Sequence, residues 1–467
     1  MRIIFTNVNY QKRVEYTSLF SVIPPLDLAY CAALVRQELS SAEVEILDAN
    51  VLGLSDEEVI ARIKRAEPDI VVFTSATHSI NTVKRIIGGL AEDKMLRVLI
   101  GTHGSALPDV ALGEIPGLDV VVRGEPELTL LELIRSHAKS SQWSGILGIH
   151  YRMDHAIAGT EDRPLLRDLE FLPFPARDLL PNNLYSAPYS SGVTALRTTR
   201  GCPGRCKFCD SHLLFGSKIR TRKPERVVDE IEECLKDYRL KYFAIIDHTF
   251  TMNRKFVIAV CKEIIDRKLN RKVLWACNTR VDMLNDEMLG LMKHAGCLEI
   301  GIGIESGDNA RLASVGKGIN EDQIKEAIGR IKHHGIIAMG YSIIGFADDT
   351  AESIALTRKK IFAFNPHTLQ LSFAAPLPGS QLYADCIRED RILSDDWNDY
   401  VFLRKSIIRN DELSSEELER MRREIVKSFY FRPGKILELI FLVLFRSRMS
   451  VLGAFRAFWK IVFNVKK

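Results

Sequence analysis

The sequence lacks the features that direct a chain out of the cytoplasm. No apolar stretch reaches the roughly 18 to 20 residues that a membrane-spanning helix needs. The opening residues, MRIIFTNVNYQKRV, have no basic segment followed by a long apolar one, so a secretory signal is not expected. Nine cysteines in 467 residues are too few for a disulfide scaffold. We therefore expect a cytoplasmic protein with reduced cysteines.

Two common nucleotide-binding loops are also missing. No G-x-G-x-x-G follows the first predicted strand, which argues against a dinucleotide, and no G-x-x-x-x-G-K-[ST] loop occurs. The net charge of +4 is a small basic excess, too small to indicate a nucleic-acid partner. We expect no nucleic acid to bind.

The first 140 residues alternate short β-type runs with helical spacing. Continuous Val/Ile runs followed by helices predict a parallel sheet covered on both faces, so residues 1–140 are expected to form a doubly wound, flavodoxin-like α/β domain whose ligand lies at the carboxyl ends of the strands. Strands are predicted at Arg2–Val8, Val44–Leu47, Ile70–Phe73, Arg97–Ile100 and Asp119–Val122, and helices at Leu26–Leu39, Asp56–Ala66, Ile80–Glu92, Leu107–Gly113 and Leu128–Ala138.

A second β/α series follows a proline-rich stretch. Residues 141–191 are interpreted as a linker or wrapping segment. Residues 192–385 contain six β/α units, fewer than the eight of a closed barrel, which predicts a partial (β/α)6 barrel with its chemistry at the carboxyl ends of the strands. Strands are predicted at Gly192–Thr198, Tyr242–Ile246, Leu274–Cys277, Leu298–Ile304, Ala338–Ile344 and Leu369–Phe373. Residues 386–467 are expected to be a helical C-terminal region.

The strongest motif is the loop LRTTRGCPGRCKFCD, directly after the first strand of the second series. It places Cys202, Cys206 and Cys209 in a C-x3-C-x2-C spacing, which suits three irons of a 4Fe–4S cube and leaves the fourth iron free for another ligand. Gly201 and Gly204 allow the backbone to bend around such a cluster. The alternative is a zinc ion with His212 as the fourth ligand.

With this loop on a partial barrel, the chain resembles the radical S-adenosylmethionine (SAM) superfamily. In that family SAM binds the free iron, and an electron from the cluster cleaves it to a radical that abstracts hydrogen from unreactive carbon. Such an enzyme draws its electron from a reductant such as flavodoxin or ferredoxin. The resemblance implies SAM contacts, taken in order along the strand ends, at Phe208, Asp247, Asn278, Arg280, Glu305, Ser306, Ile343 and Gly345. Asp247 could instead be a helix N-cap and Arg280 a surface ion-pair partner.

The N-terminal domain resembles the cobalamin-binding domain that precedes the barrel in one group of these enzymes. The resemblance implies cobalamin contacts at Asp48, Asn50, Gly53, Thr74, Ser75, Thr77, Gly101, Thr102, His103, Gly124 and Glu125. Asn50 stands where the family pattern has a cobalt-ligating histidine, and an amide is a poor substitute for imidazole. The lower face of the corrin is therefore expected to be open or water-ligated. The alternative is a domain that only packs on the barrel or helps to bind substrate.

The resemblance leaves the reaction partly open. Methyl transfer to a carbon radical is the leading interpretation, and rearrangement, cyclisation or oxidation without methyl transfer is the alternative. The sequence after Glu438 is apolar and basic, with Arg446, Arg448, Arg456, Lys460, Lys466 and Lys467. It could cap the barrel or lie at the inner face of a membrane with its cations on lipid phosphates. Membrane contact would favour a lipid-like substrate over another small molecule.

Overall fold

The computed structural model describes residues 1–10, 22–139, 143–153, 156–187 and 190–445. The strands within these residues are β1 Arg2–Asn7, β2 Glu43–Asp48, β3 Ile70–Thr74, β4 Leu96–Ile100, β5 Val120–Val122, β6 Ile149–Met153, β7 Ala156–Gly159, β8 Ser186–Ala187, β9 Ser190–Ser191, β10 Val193–Leu196, β11 Thr199–Arg200, β12 Arg220–Thr221, β13 Tyr242–Ile245, β14 Leu274–Thr279, β15 Cys297–Glu305, β16 Ile337–Ile344 and β17 Thr368–Phe373.

Helices alternate with these strands over most of their length. They are α1 Leu26–Glu38, α2 Ala49–Leu52, α3 Asp56–Ala66, α4 Ile80–Gly88, α5 Thr102–Ala106, α6 Pro108–Glu114, α7 Pro126–Ala138, α8 His212–Phe215, α9 Pro224–Asp237, α10 Arg254–Asp266, α11 Asp286–His294, α12 Asn309–Ser314, α13 Glu321–His333, α14 Ala351–Phe364, α15 Gln381–Arg388, α16 Ser415–Tyr430 and α17 Pro433–Phe445.

The N-terminal sheet has the strand order β2-β1-β3-β4-β5-β6-β7, and β1 to β5 are parallel. Alternate side chains along β1 enter two separate apolar cores. Ile3 and Phe5 pack towards α1 and α7, and Ile4 packs towards α3 and α4. Helices therefore cover both faces, which confirms the doubly wound α/β prediction.

A β-hairpin extends this sheet where the sequence suggested a linker. β6 pairs antiparallel with β5, and β7 pairs antiparallel with β6. These strands are short, and their apolar pattern is weak because only one side of β6 is buried. The prolines that pointed to a linker all follow Gly159. The sheet is consequently mixed and not wholly parallel.

The second sheet is parallel throughout and has the order β10-β13-β14-β15-β16-β17. Its outward side chains are buried beneath the helices, as Ile300 and Ile302 show, whereas inward ones such as Asn278 and Tyr341 remain accessible. This alternation is that of an open six-stranded barrel with a solvent-reachable interior, and it confirms the predicted barrel class.

The two α/β units pack directly on one another. Leu26, Tyr30 and Leu131 of the N-terminal unit share an apolar cluster with Ala195 on β10. At the far end of the barrel, Leu442 on α17 packs against residues of β10 and β16. In the described ranges no helix is both long and apolar enough to cross a membrane. Residues 446–467, which carry the predicted basic tail, lie outside the described residues, and membrane contact stays a prediction.

Candidate active site

The cysteine loop connects β11 to β12, which pair as a two-stranded antiparallel ribbon at its base. Gly201 follows β11 with φ of +90°, and a Cβ there would overlap the carbonyl oxygen of Lys218. Only glycine adopts this backbone without strain. The Cys202 N–H donates to the Gly216 carbonyl at 3.1 Å. The loop is thus closed at its base by backbone contacts that depend on Gly201.

The three loop cysteines differ from the rest of the cysteines in exposure. Cys202, Cys206 and Cys209 are partly exposed, whereas all the others are buried. Gly204 leaves open the space between two thiols, because a Cβ there would lie 3.3 Å from Cys202 Sγ and 4.0 Å from Cys206 Sγ. Three separate thiols on one bent loop fit the irons of a cube.

The described structure does not gather the ligands that the single-zinc alternative requires. Within the described ranges no three His, Cys, Asp or Glu side chains lie close enough together to hold one metal ion. His212, the candidate fourth ligand, is exposed at the start of α8.

Charged side chains from the ends of β14 and β15 and from the loop after α12 act on Cys206. Burial raises the pKa of the Cys206 thiol, and the Lys317 and Arg280 cations partly offset that rise. Lys317 Nζ lies 2.6 Å from Glu305 Oε1, and both side chains are buried. Arg280 donates to the Lys317 carbonyl oxygen at 2.7 Å. The structure thus brings the predicted Arg280 and Glu305 together beside the cluster loop, with Lys317 as an unpredicted third member.

Two glycines on β15 keep the barrel interior open next to these charges. A Cβ on Gly303 would overlap the ends of the Glu305 and Lys317 side chains. A Cβ on Gly301 would lie 2.7 Å from Cε2 of Tyr341. The strand therefore forms a cradle that any larger residue would fill. This room and the mixed charges fit a zwitterionic ligand such as SAM.

Asn278 and Tyr341 line the same interior. The Tyr341 hydroxyl donates to Asn278 Oδ1 at 3.2 Å. Burial raises the pKa of Tyr341, and the Glu299 carboxylate raises it further, so the phenol stays protonated as a donor. Asn278 was predicted to contact SAM, and the structure places it against Tyr341 on the inner wall.

Phe208 of the cysteine loop and Ile343 of β16 have apolar neighbours in common. Both pack on one apolar cluster that includes Val315 and Phe346. Lys207 fixes the loop here, because its N–H donates to the Val315 carbonyl at 3.0 Å. The two residues predicted on the adenine side of SAM therefore pack on the same apolar cluster.

Three further predicted SAM contacts have other partners. The buried Asp247 carboxylate accepts from the N–H of Thr198 at 2.7 Å and from the hydroxyl of Thr199 at 2.9 Å. Ser306 Oγ lies 3.0 Å from Thr357 Oγ1 on α14. The Gly345 N–H donates to the Asp349 carboxylate at 2.7 Å. In this structure these groups hold strand ends and loops in place.

Two buried polar residues, Asp48 and Asn50, lie at the carboxyl end of β2 in the N-terminal domain. Asp48 caps α2 and accepts from the Tyr185 hydroxyl at 2.8 Å. Burial raises the pKa of its carboxyl, against the effect of the Tyr185 hydrogen bond. Asn50 Oδ1 is buried without a hydrogen-bond partner among the described residues. Gly53 ends the short helix in a left-handed conformation.

His103 is a second buried group with an unmet hydrogen bond. Its Nδ1 lies 3.4 Å from Thr77 Oγ1, and its Nε2 has no partner in the part of the chain that the structure describes. Burial lowers the pKa of His103 to about 4, so the ring is neutral. Trp397, from the C-terminal region, packs edge-on against it with ring centroids 5.0 Å apart. Unpaired buried polar atoms at the carboxyl edge of the sheet fit a polar cofactor there.

The loops after β3 and β4 touch one another at this edge. Gly101 has φ of +109°, and a Cβ there would lie 2.5 Å from the carbonyl oxygen of Ser75. Thr102 begins α5, and the His103 N–H donates to that same carbonyl at 3.4 Å. The structure thus brings the predicted Thr77, Ser75, Gly101 and His103 together.

A cavity of about 230 Å³ opens at the switch point between β1 and β3. Asn7, Thr74, His78 and Asp27 are among its lining residues. Burial lowers the pKa of His78 to about 4. Open α/β sheets bind their ligands at this position.

Glu125 has a different environment from the other predicted cobalamin contacts. It is buried, accepts from Arg200 Nη1 and Arg220 Nη1 at 2.9 Å each, and accepts from the Leu166 N–H at 2.7 Å. Gly124 beside it donates to Ser105 Oγ at 3.0 Å. The Glu125 carboxylate therefore joins the two domains.

Sequence reasoning missed several residues that complete these sites. Lys317, Tyr341, Trp397 and Glu299 belong to no motif that would have singled them out. The inward position of Tyr341 could have been found from the alternation along β16, since it lies two residues before Ile343.

Comparison with known proteins matches the two α/β units to two different families. Residues 196–361 match the family model for the radical SAM superfamily, and residues 14–134 match the model for the B12 binding domain. An uncharacterized methyltransferase of Pyrococcus horikoshii is 34% identical over 90% of this chain and 90% of its own. An anaerobic magnesium-protoporphyrin IX monomethyl ester cyclase of Rubrivivax gelatinosus is 30% identical over 100% of this chain and 84% of its own.

Solved structures share the fold at low identity. The radical SAM methyltransferase TsrM of Kitasatospora setae, with cobalamin and a 4Fe–4S cluster bound, superposes with a TM-score of 0.70 at 16% identity, over 83% of this chain and 78% of that one. The apo form of the cobalamin-dependent SAM radical enzyme OxsB gives a TM-score of 0.71 at 17% identity, over 98% of this chain and 72% of that one.

Proposed function

Because this chain belongs to the radical SAM superfamily and carries a B12 binding domain, we propose that it transfers a methyl group from SAM to an unactivated carbon of a small-molecule or lipid-like substrate. It is a cobalamin-dependent radical SAM enzyme, and its cofactors are a 4Fe–4S cluster, SAM and cobalamin. When bound, the cluster and SAM supply the one-electron chemistry that activates a C–H bond, and the corrinoid supplies a carrier for the methyl group.

The observation that supports methyl transfer is that the carboxyl ends of the two sheets face each other. Asp27 lines the cavity at the β1/β3 switch point and forms an ion pair with Arg197, which directly follows β10. Burial opposes ionisation of Asp27, yet the Arg197 cation keeps its pKa below the usual value. A group held in the N-terminal cavity would therefore lie beside the barrel mouth, where a methyl carrier must meet the substrate.

The residues at the mouth have distinct tasks in this proposal. Cys202, Cys206 and Cys209 would hold the cluster. The Lys317 and Arg280 cations suit the SAM carboxylate, and the Glu305 carboxylate suits its ammonium group. Because these side chains are buried, their attraction for a charged ligand is weakly screened by solvent.

The inner wall of the barrel would hold the substrate. Tyr341 stays protonated and offers a hydroxyl, and Asn278 offers both a donor and an acceptor. Polar groups in such a cavity orient the substrate and fix which C–H bond faces SAM. A one-electron reductant, flavodoxin or ferredoxin, is the proposed protein partner.

A test of methyl transfer needs no knowledge of the substrate. The full chain is reconstituted anaerobically with iron, sulfide and hydroxocobalamin, reduced, and incubated with SAM labelled in its methyl group. Label on the bound corrinoid is the expected result. Cys206→Ala should bind less iron and lose SAM cleavage, whereas Cys234→Ala, a buried cysteine on α9, should keep both.

The second candidate is cyclisation or another radical reaction without methyl transfer, favoured by the likeness to the Rubrivivax gelatinosus cyclase. It predicts reductive cleavage of SAM with no label on the corrinoid. That outcome would replace methyl transfer and leave the radical SAM assignment intact.

A further inference from the structure

The stem of the cysteine loop carries two like charges that face each other. β11 and β12 form the ribbon that encloses residues 201–219, and Arg200 and Arg220 are direct partners in its antiparallel ladder. Like charges directly opposite in a ladder destabilise it. Both guanidinium groups are buried, so solvent screens their repulsion poorly. The stem therefore needs a compensating anion.

That anion comes from the other domain. Glu125, three residues after β5, bridges the two arginines with contacts of 2.9 Å to each. Glu127 adds a second carboxylate on Arg200 and is also buried. Charge-assisted contacts of this kind are directional as well as strong.

The charges at this contact are separated by domain. Arg197, Arg200 and Arg220 belong to the barrel, and Asp27, Glu125 and Glu127 belong to the N-terminal domain. The guanidinium carbons of Arg197 and Arg200 also lie 4.5 and 5.0 Å from the centroid of the Phe215 ring. Each surface presents like charges, and the described ion pairs between the two surfaces neutralise them.

We propose that Glu125 is a positioning residue that holds the cysteine loop in one orientation relative to the cobalamin domain. It acts through Arg200, which precedes Gly201 and Cys202, and through Arg220 at the other end of the same stem. Its carboxylate is engaged by these arginines, so it fixes the distance between the two cofactor sites and does not itself contact the corrinoid.

The test measures that distance directly. The reduced cluster and the cobalt(II) form of bound cobalamin are both paramagnetic, so their magnetic coupling reports the separation between the two sites. The holoprotein is compared with Glu125→Gln, which keeps the shape of the side chain and removes its charge. Glu38→Gln is the matched control, because Glu38 pairs with Arg135 at 2.7 Å within the N-terminal domain.

Wild type and Glu38→Gln are expected to give one narrow distribution of distances between the cluster and the cobalt. Glu125→Gln is expected to give a broad or split distribution instead. An unchanged distance in Glu125→Gln would overturn the proposal. If that variant does not fold, Arg220→Gln removes one cation of the facing pair and leaves Glu125 with Arg200. Combining it with Glu125→Gln removes the carboxylate as well and leaves Arg200 paired with Glu127, so neither arginine of the stem is left as an unpaired buried cation. The proposal requires this double variant to keep a broad or split distance, and a return to the narrow wild-type distance would overturn it.

Discussion

Adding one methyl group at position 201 should prevent cluster assembly while the rest of the chain still folds. Gly201 has φ of +90°, a conformation in which an L-residue such as alanine costs about 1–2 kcal/mol. The new Cβ would also lie 2.9 Å from the carbonyl carbon of Lys218, so the backbone on one side of the loop must move. That movement breaks the hydrogen bond from Cys202 to Gly216, a loss of about 1 kcal/mol.

These terms together amount to about 2–3 kcal/mol, concentrated in one surface loop. Domains are typically stable by about 5–15 kcal/mol, so the fold should survive the change. The three thiols, however, depend on the loop base for their relative positions. We expect Gly201→Ala to melt cooperatively at a somewhat lower temperature and to bind much less iron and sulfide after anaerobic reconstitution.

The control is Gly329→Ala, in the exposed middle of α13, where an added Cβ meets nothing within 4 Å. This change should stabilise the helix by about 0.5–1 kcal/mol and leave iron content unchanged. Iron and sulfide analysis, visible absorbance and thermal melting compare the two variants with wild type. A Gly201→Ala protein with the full wild-type iron content would refute the account of the loop base.

Three further predictions concern the surrounding structure. Lys317→Met leaves Glu305 buried without its cation, so it should lower the free energy of unfolding by about 3–5 kcal/mol and abolish the SAM-induced change in the cluster's electron paramagnetic resonance spectrum. The control is Lys360→Met, which breaks a more exposed ion pair and should lower the free energy of unfolding in urea by at most about 1 kcal/mol. The pKa of His103 is about 4 in the folded chain and 6.5 in the unfolded chain, so its contribution to stability is complete above pH 6.5 and falls by about 1.4 kcal/mol per pH unit down to pH 4. His103→Gln should therefore flatten the pH dependence of the free energy of unfolding of the cofactor-free protein, and an unchanged slope would contradict this. If the basic tail binds lipid, a chain ending at Phe445 should stay soluble in a flotation assay with anionic vesicles in which the full chain floats, and equal behaviour of the two would exclude tail-driven binding.

Much of the fold could be predicted because the strands of a parallel sheet are continuous apolar runs. The observed ends of β3 and β17 differ by one residue from the predictions, and α3 agrees at both ends. The start of α3 is predictable from the sequence because Ser55 and Glu58 have the spacing of a capping box, which the structure forms. The β6–β7 hairpin was missed, since its pairing with β5 depends on a distant strand and not on a local pattern.

The site was predictable only where the backbone itself carries the information. The cysteine spacing and the strand ends fall in order along the chain, so the sequence indicates which residues approach the mouth. It does not indicate which way each side chain turns. The register between β15 and β16 shifts between Gly303 and Glu305, and Glu305 has φ of +59°. Glu305 consequently turns to Lys317, whereas the next residue, Ser306, turns to Thr357.

The contact between the domains gives Glu125 a set of partners that its sequence pattern does not reveal. A buried acid in a glycine-containing loop at the carboxyl edge of a sheet has the pattern of a ligand contact. Its partners, Arg200 and Arg220, belong to a ribbon that forms only when the cysteine loop folds back on itself. Buried ion pairs add little net stability, because desolvation offsets their attraction, but they penalise every arrangement that leaves a charge unpaired. The described ion pairs set three cations of the barrel against three anions of the N-terminal domain, and this arrangement therefore selects one orientation of the cobalamin domain over the cluster.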